Sequence, residues 1–194
     1  SLKTEKNKLV SLDNYLHNPK DRNSLSNLGV SDILHPEVID TNALWLATII
    51  GLNRFDLKTK KFTHFFQKDG LASDLVLRVL EDNSGNIWCA TIEGISVYDI
   101  RTGKIKSYGK GDGMPFTDFS NLGKNADKGP DGQLFFAGIS GALSFYPDQL
   151  TENPNIPPIV FTDFKIFQES AKLDTAILFK KSLTLSHHQN VFSF

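Results

Sequence analysis

The sequence predicts an all-β chain built from a repeated unit, and three observations carry that prediction. A thirteen-residue phrase recurs as LWLATIIGLNRFD at residues 44–56, IWCATIEGISVYD at 87–99 and LFFAGISGALSFY at 134–146. Each copy is flanked by short apolar runs separated by turn-forming or charged stretches. No segment before residue 147 shows a helical period.

Superimposing the copies puts Trp45, Trp88 and Phe135 in one column and Ala47, Ala90 and Ala137 in a second. Gly51, Gly94 and Gly141 form a third, and Phe55, Tyr98 and Phe145 a fourth. The offsets between successive copies are 43 and 47 residues. Upstream, LSNLGVSDIL at 25–34 matches LASDLVLRVL at 71–80, the shift in offset being absorbed by HPEVIDTNA. Downstream, the charged turns LKTKK at 57–61 and IRTGK at 100–104 each precede another short run, FTHFF or IKSYG. Each unit therefore holds four short runs.

Taken in order, every run suits a strand. Val76, Leu77, Val79 and Leu80 lead into DNSGN, a stretch of residues that form or tolerate tight reversals. Residues 87–91 are continuously apolar, as in a strand buried on both faces. Gly94 supplies the backbone freedom for a second reversal, and Ile95 and Val97, with Leu52 and Phe55 one unit earlier, continue the sheet. A four-stranded unit of roughly 40–45 residues is the signature of a propeller blade. The prediction is a partial β-propeller of about three four-stranded antiparallel blades at 25–150. Residues 1–24 are read as the outer strand (LVSLDNYL) and linker of a preceding blade. On this reading the aromatic column packs between blades, the alanines let sheets approach, and the glycines turn the strands.

With 21 basic and 22 acidic residues the formal charge is −1, so no overall field favours a polyanion, and nucleic acid is not an expected partner. The apolar run at 44–52 is far shorter than the roughly 18–20 residues of a membrane-crossing helix. The segment begins SLKTEKNKLV, without the apolar core of a signal peptide, and is expected to belong to a longer protein. Cys89 is the single cysteine and reads as a small core residue.

The pattern SLSN, LWLATIIGLNRFDLKTKKFTHF, EDNSGNIWCATIEGISVYD resembles the two-component regulator propeller repeat, over about residues 10–150. In the last unit Phe135 replaces Trp, Gly138 replaces Thr and Tyr146 replaces Asp, and PDQLTENPNIPPIVFTDFKIF follows. That is similar to the family's handover from propeller to a C-terminal β-sandwich, the Y_Y_Y domain. The resemblance implies that 151–194 is the beginning of such a sandwich, with IPPIVFTDFKIF as its first strand and LTLSHHQNVFSF as its next segment. It further implies a periplasmic sensor segment of a hybrid two-component receptor, reached by the membrane only through other parts of the parent protein. An oligosaccharide would be the ligand and a histidine kinase or other output domain the recipient of the signal. Three blades cannot close a ring, so self-association through open blade faces, or within a receptor dimer, is expected.

Other motifs give weaker readings. GISG at 138–141 lacks the glycine of a nucleophile elbow, Ala142 standing in its place. GKGDG at 109–113 is followed by Pro115 and FTDF instead of a helix that would receive a phosphate. Asp82, Ser84 and Asn86 alternate as in a calcium loop, but Ile87 stands where that loop needs glycine, and an Asx-type turn is the plainer reading. His187 and His188, if in a strand, point to opposite faces. No catalytic residue, metal site or cofactor is expected. Ligand contacts are sought where the units disagree: Glu93 against Ile50, Arg54 against Val97, and Asp118 with Asn121 in the irregular last unit. The alternatives to a sensor are a protein-interaction propeller scaffold without a small ligand, and a glycan-degrading enzyme.

Overall fold

The computed structural model describes residues 2–5, 8–120, 125–150, 163–171, 177 and 182–193. Contacts divide the chain into two compact units, Ser1–Leu150 and Thr151–Phe194. In the first, β1 (Leu2–Glu5) and β2 (Lys8–Leu12) form an antiparallel hairpin, β2 covering the start of the expected outer strand.

Two four-stranded antiparallel sheets follow. The first has β3 (Val30–Leu34), β4 (Ala43–Thr48), β5 (Leu52–Asp56) and β6 (Phe62–Phe65) in sequence order. The second has β7 (Val76–Glu81), β8 (Ile87–Thr91), β9 (Gly94–Tyr98) and β10 (Ile105–Tyr108), also in order. The third sheet has three strands among the described residues: β11 (Ala126–Lys128), β12 (Leu134–Ala137) and β13 (Ala142–Phe145). The fold class is thus as predicted; the position of a fourth run in the third unit, after residue 150, lies outside the described residues.

The turn chemistry after the third strand differs between the units. Asp56 accepts the amides of Lys58 and Thr59 at 3.0 and 2.7 Å, and Asp99 those of Arg101 and Thr102 at 2.8 and 3.0 Å. These bonds hold both carboxyls below their ordinary range and reverse the chain into β6 and β10. Tyr146 replaces that aspartate in the third unit, and the chain runs into a 3₁₀ turn at Pro147–Gln149.

The first strands lie side by side and run parallel. Ser31 Oγ donates to the Val76 carbonyl at 2.7 Å, the Val79 amide donates to Asp32 at 3.0 Å, and the amides of Glu37 and Val38 donate to Glu81 at 2.6 and 3.1 Å. Between the sheets lie two apolar cores of matching construction. In the first, the fully buried Trp45 meets Ala47, Leu52, Leu71, Val76, Ile87 and Cys89. Trp45 stacks on Phe65 of its own sheet at 5.5 Å and meets Tyr98 of the next in a tilted contact at 5.1 Å. In the second, Trp88 stands in the same relation to Tyr108 at 6.0 Å and to Phe145 of the third sheet at 5.0 Å.

Side-chain alternation explains the columns. Trp45 and Trp88 face the following sheet; Phe135, in the last sheet of the first compact unit, is 39% exposed and departs from the packing expected of its column. The opposite face of the first sheet is not bare. Leu25, Leu46, Phe55 and Phe62 form a third core, and Tyr15 lies 4.6 Å from Phe55. The segment before β3 thus covers the face that was expected to be open.

Each Trp Nε1 donates to a turn aspartate, Trp45 to Asp40 at 3.0 Å and Trp88 to Asp82 at 2.8 Å. In the third unit both halves of that bond have changed together. Phe135 has no donor, and Gly129 occupies the place of Asp82, its amide bonded to Gln133 as the Asp82 amide is to Asn86. Asp131, two residues along that turn, accepts instead from the Tyr146 hydroxyl at 2.6 Å. That bond lowers the Asp131 carboxyl and raises the Tyr146 phenol.

In the second unit, β14 (Lys165–Ile166) pairs with β15 (Glu169–Ser170) and with β16 (Phe192–Ser193). β14 falls within the expected first strand, most of which lies outside the described residues. His187 and His188 form a turn with ring centroids 3.6 Å apart, so the opposed strand geometry expected of them does not apply.

The glycine column yields a differential prediction. Gly94 has φ +155, and a Cβ there would lie 2.1 Å from the Tyr108 carbonyl; Gly141 has φ +148, and its nearest neighbour is a Phe116 ring atom at 3.7 Å. Gly94→Ala is expected to lose about 3 kcal/mol, from strain plus collision with β10. Gly141→Ala should lose about 1 kcal/mol, from strain alone. Urea denaturation of the two variants checks the order, and equal losses would contradict this account.

Candidate functional site

One end of the sheets gathers the irregular features. The segments leading into the first strands are bonded to the hairpins between second and third strands, within the first and third units and from the first unit's hairpin to the second unit's leading segment. The Ile49 amide donates to Gly29 O at 3.0 Å, Gly51 N to Asp74 O at 2.6 Å, and Ile139 N to Asp118 O at 3.1 Å. Thr48 and Thr91 brace the first two hairpins, their hydroxyls donating to the Gly51 and Gly94 carbonyls at 2.8 and 3.0 Å. Below the first hairpin, Asn53 is fully buried and ties Ser26 to Thr48. Ser96 takes the corresponding place in the second sheet, accepting from Ala72 N at 2.9 Å.

Glu93 lies at the tip of the β8–β9 hairpin with its side chain exposed. Asp118 lies at the same end in the third unit, where Gly138 replaces the bracing threonine. A Cβ at Gly138 would meet the Asp118 carbonyl at 2.8 Å and Phe116 at 2.9 Å, so the glycine admits the 116–119 segment. Ser140 Oγ donates to Asp118 Oδ2 at 2.5 Å. The other carboxylate oxygen, Oδ1, is buried with no hydrogen-bond partner among the described residues. A buried acceptor without a donor costs about 1–3 kcal/mol, which marks Asp118 as a place where a ligand donor would be well received. Asn121 lies outside the described residues.

Arg54 is at the opposite end. Its guanidinium donates to both oxygens of Asp40, at 2.6 and 2.5 Å, and lies 3.7 Å from Asp56. The bond to Asp40 holds its pKa above the ordinary guanidinium value. The disagreement between Arg54 and Val97 has a structural cause. Asp40 receives Trp45 and Arg54, whereas Asp82 is satisfied within its own turn by Ser84 N, Asn86 N and Asn86 Nδ2 besides Trp88. That turn is the Asx-type reversal expected of DNSGN. The structure therefore brings Glu93 and Asp118 to one end and leaves Arg54 at the other.

One feature escaped the search for unit-to-unit differences. Ile49, Ile92 and Ile139 stand in one column, two residues before each hairpin glycine, and all three are exposed, Ile139 by 85%. Repetition was read as packing, yet this repeated column faces solvent. The phrase T/G-Ile-x-Gly was the available signal.

Among the described residues no three His, Cys, Asp or Glu side chains group as metal ligands, and no helix is long and apolar enough to cross a membrane. No protein-family model matches the sequence. The sequence is 34% identical over 157 residues to histidine kinase P4 of Formosa agariphila, a match covering 77% of this chain and 8% of that relative. It is similar, at 30% identity and a TM-score of 0.61, to the extracellular domain of BT3049 from B. thetaiotaomicron, described as a hybrid two-component system. The chain resembles the extracellular domain of a two-component receptor. That match covers 84% of this chain and 22% of the BT3049 domain. The extracellular domain of BT4673 from the same organism shares the fold, with 16% identity, a TM-score of 0.54 and coverage of 70% of this chain and 18% of that one. The chain thus spans a small part of each.

Cys89 is buried between the first two sheets, and burial pushes its thiol up to about 12. The expectation is that a maleimide at pH 8 leaves Cys89 unlabelled in the native chain and labels it fully in urea, with mass spectrometry as the readout. Rapid native labelling would show that the first two sheets do not pack as described.

Proposed function

We propose that this chain is a sensor segment in the extracytoplasmic region of a hybrid two-component receptor. Its bladed part, residues 25–150, presents the ligand platform, and residues 151–194 begin a Y_Y_Y-type sandwich that relays the signal. The observation that carries the reading is the 30% identity, within a shared fold, to an extracellular domain described as part of a hybrid two-component system. The periplasm is the compartment this implies, with a kinase or other output domain elsewhere in the longer protein.

The platform is the end that holds Glu93, Asp118 and Ser140. Loops converging there each offer one group to a ligand, and Asp118 Oδ1 is an acceptor still in want of a donor. A hydroxyl-rich oligosaccharide answers that chemistry. Binding by itself carries no signal; it must favour one of two receptor arrangements, and a paired receptor gives such arrangements. The exposed column Ile49, Ile92 and Ile139 favours a second reading, in which the same end docks a protein instead of a sugar.

The complete extracellular region should bind one member of an oligosaccharide panel saturably, followed by calorimetry and thermal shift, with about 2.7 kcal/mol of stabilisation at a ligand concentration 100 times Kd. Asp118→Ala should weaken that binding about tenfold, the equivalent of one lost hydrogen bond to a charged group. A folded region that binds no sugar would favour the protein-docking reading, and sugar turnover would favour the glycan-degrading one.

A further inference from the structure

The hairpins that join second to third strands place isoleucine where a two-residue turn ordinarily holds Asn, Asp or Gly. Ile49 with Ile50, Ile92 with Glu93, and Ile139 with Ser140 fill the three loops, each followed by the hairpin glycine. All four isoleucines are exposed, and so is Leu28, in the segment bonded to the first hairpin. Ile49 leans on the Gly29 backbone, 3.1 Å from where a Cβ there would stand, and still faces solvent.

This exposure does not come from a missing neighbour. The second sheet has the first on one side and the third on the other, yet Ile92 is 45% exposed. Hairpin tips project past the strand ends, so packing one sheet on the next leaves them bare. An apolar residue set there in three successive units reads as a contact surface.

Charge around the tips is one-sided. Asp69 and Asp112 end the 3₁₀ turns that follow β6 and β10, Asp74 and Asp118 lie in the segments bonded to the hairpins, and Glu93 is in a hairpin itself. Against these five acids the same turns and segments carry Lys68 and Lys110 among the described residues. None of the five is ion-paired there. At the opposite end the turns into β6 and β10 carry Lys58, Lys60, Lys61, Arg101 and Lys104 beside Asp56 and Asp99. The acidity is therefore local, in a chain whose formal charge is −1.

We infer that the isoleucine tips form a docking surface for a basic polypeptide segment, one that sets Lys or Arg beside large apolar side chains. This develops the protein-docking reading of the same end. The apolar tips supply affinity, while the acids steer basic partners in and turn acidic ones away. A second copy presenting the same face would set acid against acid, and an anionic membrane or polyanion would be repelled likewise. Surface ion pairs alone contribute little, so a basic segment without apolar residues does not suffice.

The test titrates a dye-labelled peptide, Lys-Leu-Lys-Ile-Lys-Leu-Lys, with the 194-residue chain, read by fluorescence anisotropy at physiological salt. One control peptide has serine for every apolar residue, and the other has glutamate for every lysine. The basic apolar peptide should bind saturably, and both controls should bind more weakly by about tenfold. Ile92→Ser should weaken the peptide about tenfold and Glu93→Lys about threefold. Val38→Ser, at the opposite end, should change nothing, and all three variants should keep the parent's circular dichroism. Absence of saturable binding would overturn the inference, as would equal binding of the serine peptide, or an Ile92→Ser chain that is folded and binds as the parent does. An oligosaccharide that binds where the basic peptide does not would overturn it and leave the ligand-platform reading standing. Peptide binding with no sugar bound would uphold it and remove the support for that platform.

Discussion

The structure depends on an aromatic wedge that passes from each sheet to the next. Trp45 is gripped by Phe65 of its own sheet and Tyr98 of the following one, and Trp88 by Tyr108 and Phe145 in the same way. A single four-stranded sheet of this kind has two apolar faces, and both must be taken out of water. The wedge removes one face of each sheet from water against its neighbour, and the Nε1 bond to Asp40 or Asp82 fixes how deeply the indole enters. Everything else follows from keeping the sheets close enough for it. Ala47 and Ala90 leave room, Gly51 and Gly94 let the fourth strand's carbonyl approach the hairpin, and the parallel first strands are stitched by Ser31, Asp32 and Glu81.

Much of this was legible because the sequence repeats itself. Three aligned phrases reveal strand order, turn positions and packing columns without any need to weigh one segment's propensity, since the same local solution is written more than once. What was not legible depended on neighbours that the repeat does not encode. Phe135 shares a column with two buried tryptophans, yet it is exposed because no further sheet of the first compact unit covers it. Tyr15 lies outside every phrase, yet it covers the first sheet's outer face. At the candidate site, Glu93 and Asp118 were reached by asking where units differ, and the same question led to Arg54, whose difference is explained by Asp40. The isoleucine column was missed for the converse reason, since a repeated residue need not be a packed one.

The third unit concentrates the departures, and they are mutually consistent. Losing Trp goes with losing the turn aspartate; losing the threonine brace admits the 116–119 segment; losing the closing aspartate goes with a 3₁₀ turn after β13. Consistency of this kind indicates a unit with its own role, the last in sequence of the first compact unit.

The direct test of the wedge is a double-mutant cycle between Trp88 and Phe145 by urea denaturation, with each residue replaced by leucine singly and together. Ring pairs of this geometry couple by about 1 kcal/mol beyond their buried area. The account predicts that the double variant loses less stability than the two single losses combined, by roughly that amount. Strict additivity would show that the rings do not hold the second and third sheets together, and would contradict the account.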